Sequence, residues 1–154
     1  MRIRPATAAD ARLLLEWAND PGTRAAGFHP QPIDAATHGR WLAQRLASPS
    51  SRLLIGVAED HAVGQVRLDG EADGRVEVGI AVAPDARGRG VGRDLLAAAL
   101  GVARADPGLD ARFFVARIRP DNVASIALFA GAGFHFADRT ECNGVPCLVY
   151  ELAV

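Results

Sequence analysis

Three glycines and three arginines fall within seven residues, Arg87-Gly88-Arg89-Gly90-Val91-Gly92-Arg93, soon after the apolar run Val76 to Ala83. A strand that feeds through such a loop into a helix leaves unpaired amides and the positive end of a helix dipole beside a surface free of side chains, which is a seat for phosphate. Arg87, Arg89 and Arg93 add guanidinium groups able to hold phosphate oxygens in a bidentate way. Facing water alone, the same residues would be an ordinary solvated turn, but their concentration at one helix start asks for an anion. A dinucleotide fingerprint fits poorly. Arg93 stands where its third glycine belongs, and Asp110 precedes the following strand instead of ending it.

Other chemistry is excluded by what the chain lacks. All 17 basic residues are Arg, so lysine Schiff bases and a Walker-type phosphate loop are ruled out. Tyr150 is the one tyrosine available as an acid. The histidines His29, His38, His61 and His135 are not spaced as a metal pair, and Cys142 and Cys147 flank a turn with no second pair to complete a zinc site. No metal is expected. The two cysteines read as reduced thiols on a hairpin, with a redox pair as the lesser alternative.

The elements that must position the loop follow from period and punctuation. Ile3 and its neighbours form a short strand, and Thr7-Ala8-Ala9-Asp10 resembles a capping box for a helix carrying Leu13, Leu14 and Trp17, stopped by Asn19-Asp20-Pro21-Gly22. A second helix runs from Asp34 to about Ala47. Strands at Arg52 to Ala58, Ala62 to Leu68 and Arg75 to Ala83 are joined by connections short enough to make them antiparallel neighbours. Gly92 to Ala105 is a helix, Arg112 to Ile118 a strand, and a helix capped by Asp121 or Asn122 ends at Gly131-Ala132-Gly133. Phe134 to Phe136 and Cys147 to Leu152 close the chain around the Asn143-Gly144 turn. The expectation is one α/β (α+β) domain over residues 1–154, a mixed and mostly antiparallel sheet of about seven strands flanked by about four helices.

Two segments carry a family resemblance. Arg87-Gly88-Arg89-Gly90-Val91-Gly92 resembles the (Gln/Arg)-x-x-Gly-x-(Gly/Ala) motif of the GCN5-related N-acetyltransferases (GNAT). Asn122-Val123-Ala124-Ser125-Ile126-Ala127-Leu128-Phe129, continuing to Gly133-Phe134, resembles that superfamily's Asn-x-x-(Ala/Ser)-x-x-Leu-(Tyr/Phe) helix. The resemblance implies the GNAT fold and acetyl-coenzyme A as co-substrate. It implies loop amides from Arg87 through Arg93 on the pyrophosphate, with Asn122, Ser125 and Phe129 along the coenzyme channel. It further implies backbone amides of Ile80, Ala81 and Val82 polarising the thioester carbonyl, and direct attack by an amine in a ternary complex. Asn122 serves equally as a helix cap and Phe129 as a core residue.

The chain departs from the family pattern at one point. The tyrosine that often acts as general acid is Phe129 here, so thiolate protonation needs another route. Glu77 is the best single candidate for the base, although strand alternation puts it on the face opposite Val78, Ile80 and Val82, where it also reads as an ordinary surface charge.

For the acceptor, Trp17-Ala18-Asn19-Asp20 with Arg24 and His38-Gly39-Arg40-Trp41 resembles the branch that acetylates the 4-amino group of nucleotide-linked amino sugars. Asn19, Asp20 and Arg24 would then hold the sugar or its pyrophosphate, or else serve as a helix stop with a salt bridge, and His29 and His38 fall in the region where the family builds its acceptor pocket. Glu77-Val78-Gly79 is also similar to the branches acting on ribosomal-protein amino termini or small amines such as antibiotics and polyamines. The Phe at position 129 leaves a non-catalytic acyl-coenzyme-A-binding module as a further alternative.

Charge and composition fit a small-molecule partner. A net charge of −1 with both signs interspersed offers no basic stripe for nucleic acid and no tail for an anionic membrane. The amino terminus lacks the apolar core of a signal peptide, so the expected compartment is cytoplasmic. A homodimer through the last strands is implied only by the family resemblance.

Overall fold

The computed structural model describes all 154 residues. The strands are β1 (Arg2–Pro5), β2 (Ser51–Ala58), β3 (His61–Gly70), β4 (Arg75–Val82), β5 (Phe113–Ile118), β6 (His135–Cys142) and β7 (Val145–Ala153). The helices are α1 (Ala11–Ala18), α2 (Pro21–Ala26), α3 (Ala35–Ala47), α4 (Val91–Ala105) and α5 (Val123–Gly131). They build one seven-stranded sheet in the order β1-β2-β3-β4-β5-β7-β6, antiparallel except for β4 beside β5. No helix is long and apolar enough to cross a membrane.

The expected helix count is one short. Asn19-Asp20-Pro21-Gly22 stops α1 as read, but the same residues start α2: Asp20 accepts the Thr23 amide as N-cap and Pro21 takes the first helical position. A six-residue helix has too few positions to show a period. The capping box at Thr7 forms, with the Thr7 amide donating to Asp10 at 2.8 Å, on a 3-10 turn that leads into α1. The Asn143-Gly144 turn has both residues at positive φ (51° and 73°), and the strands it joins run several residues longer than their apolar content suggests.

Alternation along the strands separates two cores. Val66, Leu68, Val76, Val78, Phe114 and Ala116 pack with Leu95, Leu96, Ala99, Leu100 and Ala103 of α4 on one face. Leu53, Ile55 and Val57 pack with Leu14, Trp17 and Leu42 of α1 and α3 on the other. Because α1 and α3 cover chiefly β2, the second face lies open over β3, β4, β5 and β7.

The feature that creates the site is where pairing stops. β4 and β5 are matched only at Arg75–Phe113, Val76–Phe114 and Glu77–Val115, and beyond Glu77 the two strands part. β4 stays paired to β3 through Val82 with no bulge. A gap therefore opens inside the sheet, bordered by half of β4.

Candidate active site

A cleft of about 1280 Å³ runs through this gap and joins both faces of the sheet. At its α4 end the loop delivers what the glycines predict. Gly88 and Gly90 both adopt φ +77°, a left-handed conformation that suits glycine. A Cβ at Gly88 would meet nothing within 4 Å and one at Gly90 only the Arg93 guanidinium at 3.5 Å, so the space before the helix is open. Gly90 is the N-cap of α4 without a side-chain cap, which leaves the first amides of a 15-residue helix facing the cleft. That arrangement fits a pyrophosphate.

The three arginines differ. Arg93 is 82% exposed at the cleft mouth. Arg87 lines the cleft but is tied to α2, donating to Asp20 at 2.8 Å and to Thr23 at 3.0 Å. Arg89 turns back to the Asp85 carbonyl at 3.0 Å and is not part of the cleft wall.

Within the gap the backbone of β4 is oriented by its pairing. The Ala83 amide donates to Val63 at 2.8 Å, so by alternation the Ala81 and Gly79 amides also point to β3, while those of Ile80 and Val82 point into the gap. Of the three residues expected to polarise a carbonyl, two present amides and Ala81 presents its small side chain. On the α5 wall, Asn122 caps the helix by accepting the Ser125 amide at 3.2 Å and also lines the cleft. Phe129 is buried edge-to-face on Phe134 at 5.0 Å, with part of its surface on the cleft. Asn122 is thus a helix cap and Phe129 a core residue, and both border the cleft. Tyr150 packs with Phe136 and does not reach the cleft.

The other face of the gap carries charge. Arg45 contacts Asp69 at 2.5 Å, Arg67 contacts Asp69 at 2.6 Å and donates to Glu77 at 3.1 Å, and Arg117 joins Glu77 to Glu71. The Arg67 Nε approaches Asp69 off its N–H direction and so counts as an ion contact, without a hydrogen bond. Burial pulls the Arg117 pKa down, but Glu71 and Glu77 outweigh it and leave the group above its ordinary value. Gly79 gives Arg67 room to lie across β4, since a Cβ there would stand 3.1 Å from its guanidinium. Glu77 thus sits on the face opposite Val78, where alternation put it, and is the one carboxylate lining the cleft. Its Oε1 is bound by Arg67 and its Oε2 by Arg117.

Residues 27–33 form the roof. Asn19 pins this segment through both hydrogen bonds of Ile33, each 2.8 Å. Asn143, at the tip of the β6–β7 turn, donates to the Phe28 carbonyl at 2.8 Å and meets His29 at 3.2 Å, and Arg119 reaches the Gly27 carbonyl at 3.3 Å. Asn19 and Asp20 therefore shape the pocket from behind and do not line it, whereas Arg24, His29 and His38 do.

Arg24 has no carboxylate partner. Its one hydrogen bond goes to the Gln31 carbonyl at 3.1 Å, its Nε is buried without a partner, and desolvation lowers its pKa. His38 is only 4% exposed and stacks obliquely on Trp41; burial lowers its pKa, which keeps the ring neutral at pH 7. Cys147 is fully buried, and burial together with the adjacent Cys142 pushes its thiol up to about 12, so it is not a nucleophile at neutral pH. No three His, Cys, Asp or Glu side chains gather as a metal site.

Sequence reasoning missed Gln65, Arg67, Arg117 and Asn143, all on the cleft wall. The first two carried a signal, since Gln65, Arg67 and Asp69 alternate with buried Val66 and Leu68, but that pattern is also the signature of a solvated sheet face.

A gap in a mixed sheet, with a glycine-opened helix start on one side and a ligand-sized pocket on the other, can hold a phosphate-bearing ligand threaded through the sheet. The chain belongs to the GNAT acetyltransferase family, whose domain model, described as "Acetyltransferase (GNAT) domain", matches residues 1–135. It is an N-acetyltransferase. A ribosomal-protein-alanine N-acetyltransferase from Brucella melitensis is 27% identical, with all of both chains covered and a TM-score of 0.84. Two further structures share the fold at lower identity. A phosphinothricin acetyltransferase from Sinorhizobium meliloti, in complex with acetyl-coenzyme A, is 21% identical over 99% of this chain and 88% of that one, with a TM-score of 0.83. A spermidine N-acetyltransferase from Vibrio cholerae, in complex with coenzyme A and spermine, is 17% identical over 99% and 94%, with a TM-score of 0.85. No curated protein matches the chain by sequence.

Proposed function

We propose that the protein transfers the acetyl group of acetyl-coenzyme A to the amine of an anionic small molecule, a nucleotide-linked 4-amino sugar being the acceptor that fits best, by direct attack in a ternary complex. Acetyl-coenzyme A supplies the activated acyl group. The amides at the start of α4, with Arg87 and Arg93, hold its pyrophosphate; Asn122, Ser125 and Phe129 border the chain that follows. The Ile80 and Val82 amides receive the charge that develops on the carbonyl oxygen, a task for preorganised donors that needs no side chain.

The observation that carries the acceptor class is Arg24. Six arginines line the cleft, Arg24, Arg45, Arg67, Arg87, Arg93 and Arg117, against the single carboxylate Glu77. On the acceptor side each is matched by a carboxylate except Arg24. A polycation such as a polyamine or an aminoglycoside gains nothing from such a wall, whereas a phosphate or carboxylate supplies what Arg24 lacks. His29 and His38 complete the acceptor pocket, and Asn19 and Asp20 hold the segments that carry it.

Glu77, as the one carboxylate on the wall, is the base. It stands four residues before Ala81, about 13 Å along an extended strand, so it accepts the amine's proton through water.

A second reading has its own support: the full-length likeness to the Brucella enzyme favours a protein amino terminus. Thiol release from acetyl-coenzyme A, followed with a UDP-linked 4-amino sugar, a peptide with a free alanine amino terminus, spermidine and kanamycin, separates them. Turnover fastest on the sugar nucleotide is expected. Turnover of the peptide without the sugar nucleotide establishes the second reading in its place.

A further inference from the structure

We infer that Gln65 binds the attacking amine, its side-chain carbonyl accepting one N–H of the acceptor nitrogen; the assignment rests on the acetyl-transfer reading above. Gln65 stands on β3 between Gly64 and Val66, and its neighbours on alternate positions separate cleanly. Val66 and Leu68 are fully buried against α4, while Arg67 and Asp69 share the face of Gln65. In the sheet register Gln65 is paired with Ala81 of β4, between the two residues whose amides point into the gap. On its other side it is paired with Ile55 of β2, which is fully buried and apolar.

The Gln65 Oε1 is closed to solvent and has no hydrogen-bond partner in the protein, yet the residue lines the cleft. Buried carbonyl oxygens without a donor are costly, and folded proteins rarely keep them. Arg67, the next residue on the same face, makes no hydrogen bond to it: its guanidinium contacts Asp69 and Glu77 instead. The floor beside Gln65 is the small side chain of Ala81, while the space above Gly79 is taken by the Arg67 guanidinium, which walls this side of the position. An oxygen lacking a donor therefore belongs to the β3 residue paired with Ala81, the residue between the two amides that face the gap.

The missing donor matches the substrate. A primary amine offers two N–H groups and one lone pair, and an N–H held by Gln65 leaves the lone pair free for the carbonyl carbon. A carboxylate at this position would favour the ammonium form, which has no lone pair, but a neutral amide oxygen does not. As the amine forms the C–N bond and the C–S electron pair leaves on sulfur, positive charge grows on nitrogen and its N–H becomes a stronger donor. The bond to Gln65 tightens as the reaction proceeds, the kind of contact that raises kcat. Nitrogen then releases one proton through water to Glu77, and water delivers a proton to the thiolate, so the products are an amide and a free thiol.

The test uses Gln65→Leu and Gln65→Glu with acetyl-coenzyme A and the amine of the panel above that turns over fastest. Gln65→Leu should lower kcat at least about 30-fold, a size typical of one lost transition-state hydrogen bond. Its calorimetric affinity for coenzyme A should stay within about twofold, and its thermal midpoint should hold or rise, because an unpartnered buried oxygen has been removed. Gln65→Glu should move the pH–rate profile to higher pH, since the amine then gives up its proton less readily. A Gln65→Leu enzyme with kcat within threefold of the parent overturns the assignment. So does one that loses midpoint and coenzyme affinity together, or a Gln65→Glu profile that does not move. A parent protein that binds coenzyme A and acetylates no amine overturns the transfer reading, and the role of Gln65 with it.

Discussion

The two ends of the cleft offer a ligand different kinds of group. At the coenzyme end the donors are backbone amides, at Ile80, Val82 and the start of α4, exposed by a parted strand and by two glycines at φ +77°. They come from one continuous stretch of chain. At the acceptor end the groups are side chains from α2, α3, β3, β4, β5 and the β6–β7 turn, and one of the contacts that closes the roof joins Asn143 to Phe28 across 115 positions. A backbone site is built by local rules of conformation, whereas a side-chain site is built by where distant segments meet.

Substitutions in the two regions should therefore fail differently. The largest effect is expected from Gly90→Val, which puts a branched side chain at positive φ in the open space before α4. Calorimetry should show coenzyme A affinity reduced more than 100-fold, by the order of magnitude expected for losing several charge-assisted contacts, while circular dichroism still reports a folded chain. An unchanged affinity would break the contrast at its strongest point. Arg24→Ala should come next, raising the acceptor KM about 10- to 100-fold, as for loss of hydrogen bonds to a charged group, with coenzyme affinity unaltered. If coenzyme affinity falls instead, Arg24 belongs to the other end.

Glu77→Gln should cost roughly tenfold in kcat, less than a directly placed base because water intervenes. A normal rate at every pH would leave water alone as the proton acceptor. The smallest effect concerns His38, which burial holds below its ordinary 6.5. As pH falls below that value the unfolded chain takes the proton first, so the stability tied to neutral His38 is full above pH 6.5 and declines toward the lowered folded value. Urea unfolding between pH 7 and 5 should show a shallower decline for His38→Gln than for the parent.

The coenzyme half was largely legible from residue order. Glycines before a helix, an asparagine cap and an apolar run leading into them are local patterns, and each element formed where its pattern lay, give or take a residue or two. The same reasoning overstated Arg89, because spacing along a loop does not say which way a long side chain turns. On the acceptor side, Asn19 and Asp20 read as acceptor-binding residues but do not line the pocket, because their side chains are used by Ile33, Thr23 and Arg87 across turns that no period predicts. Helix α2 was missed for a related reason, since the Asp-Pro-Gly that ends one helix also starts the next. Gln65 was invisible because nothing in a sequence says whether a polar residue on a strand meets water or an unfilled cleft.

The parting of β4 from β5 has a consequence for how such a protein can change over generations. Its carbonyl-binding amides belong to the main chain, so replacing Ile80 or Val82 by any residue but proline leaves the donors in place. The acceptor wall has no such insurance, since every contact there is removed by changing one codon. Apart from the glycines that shape the loop, side chains at the main-chain end of the cleft can vary without removing a donor, whereas at the other end each side-chain change alters what the cleft can hold.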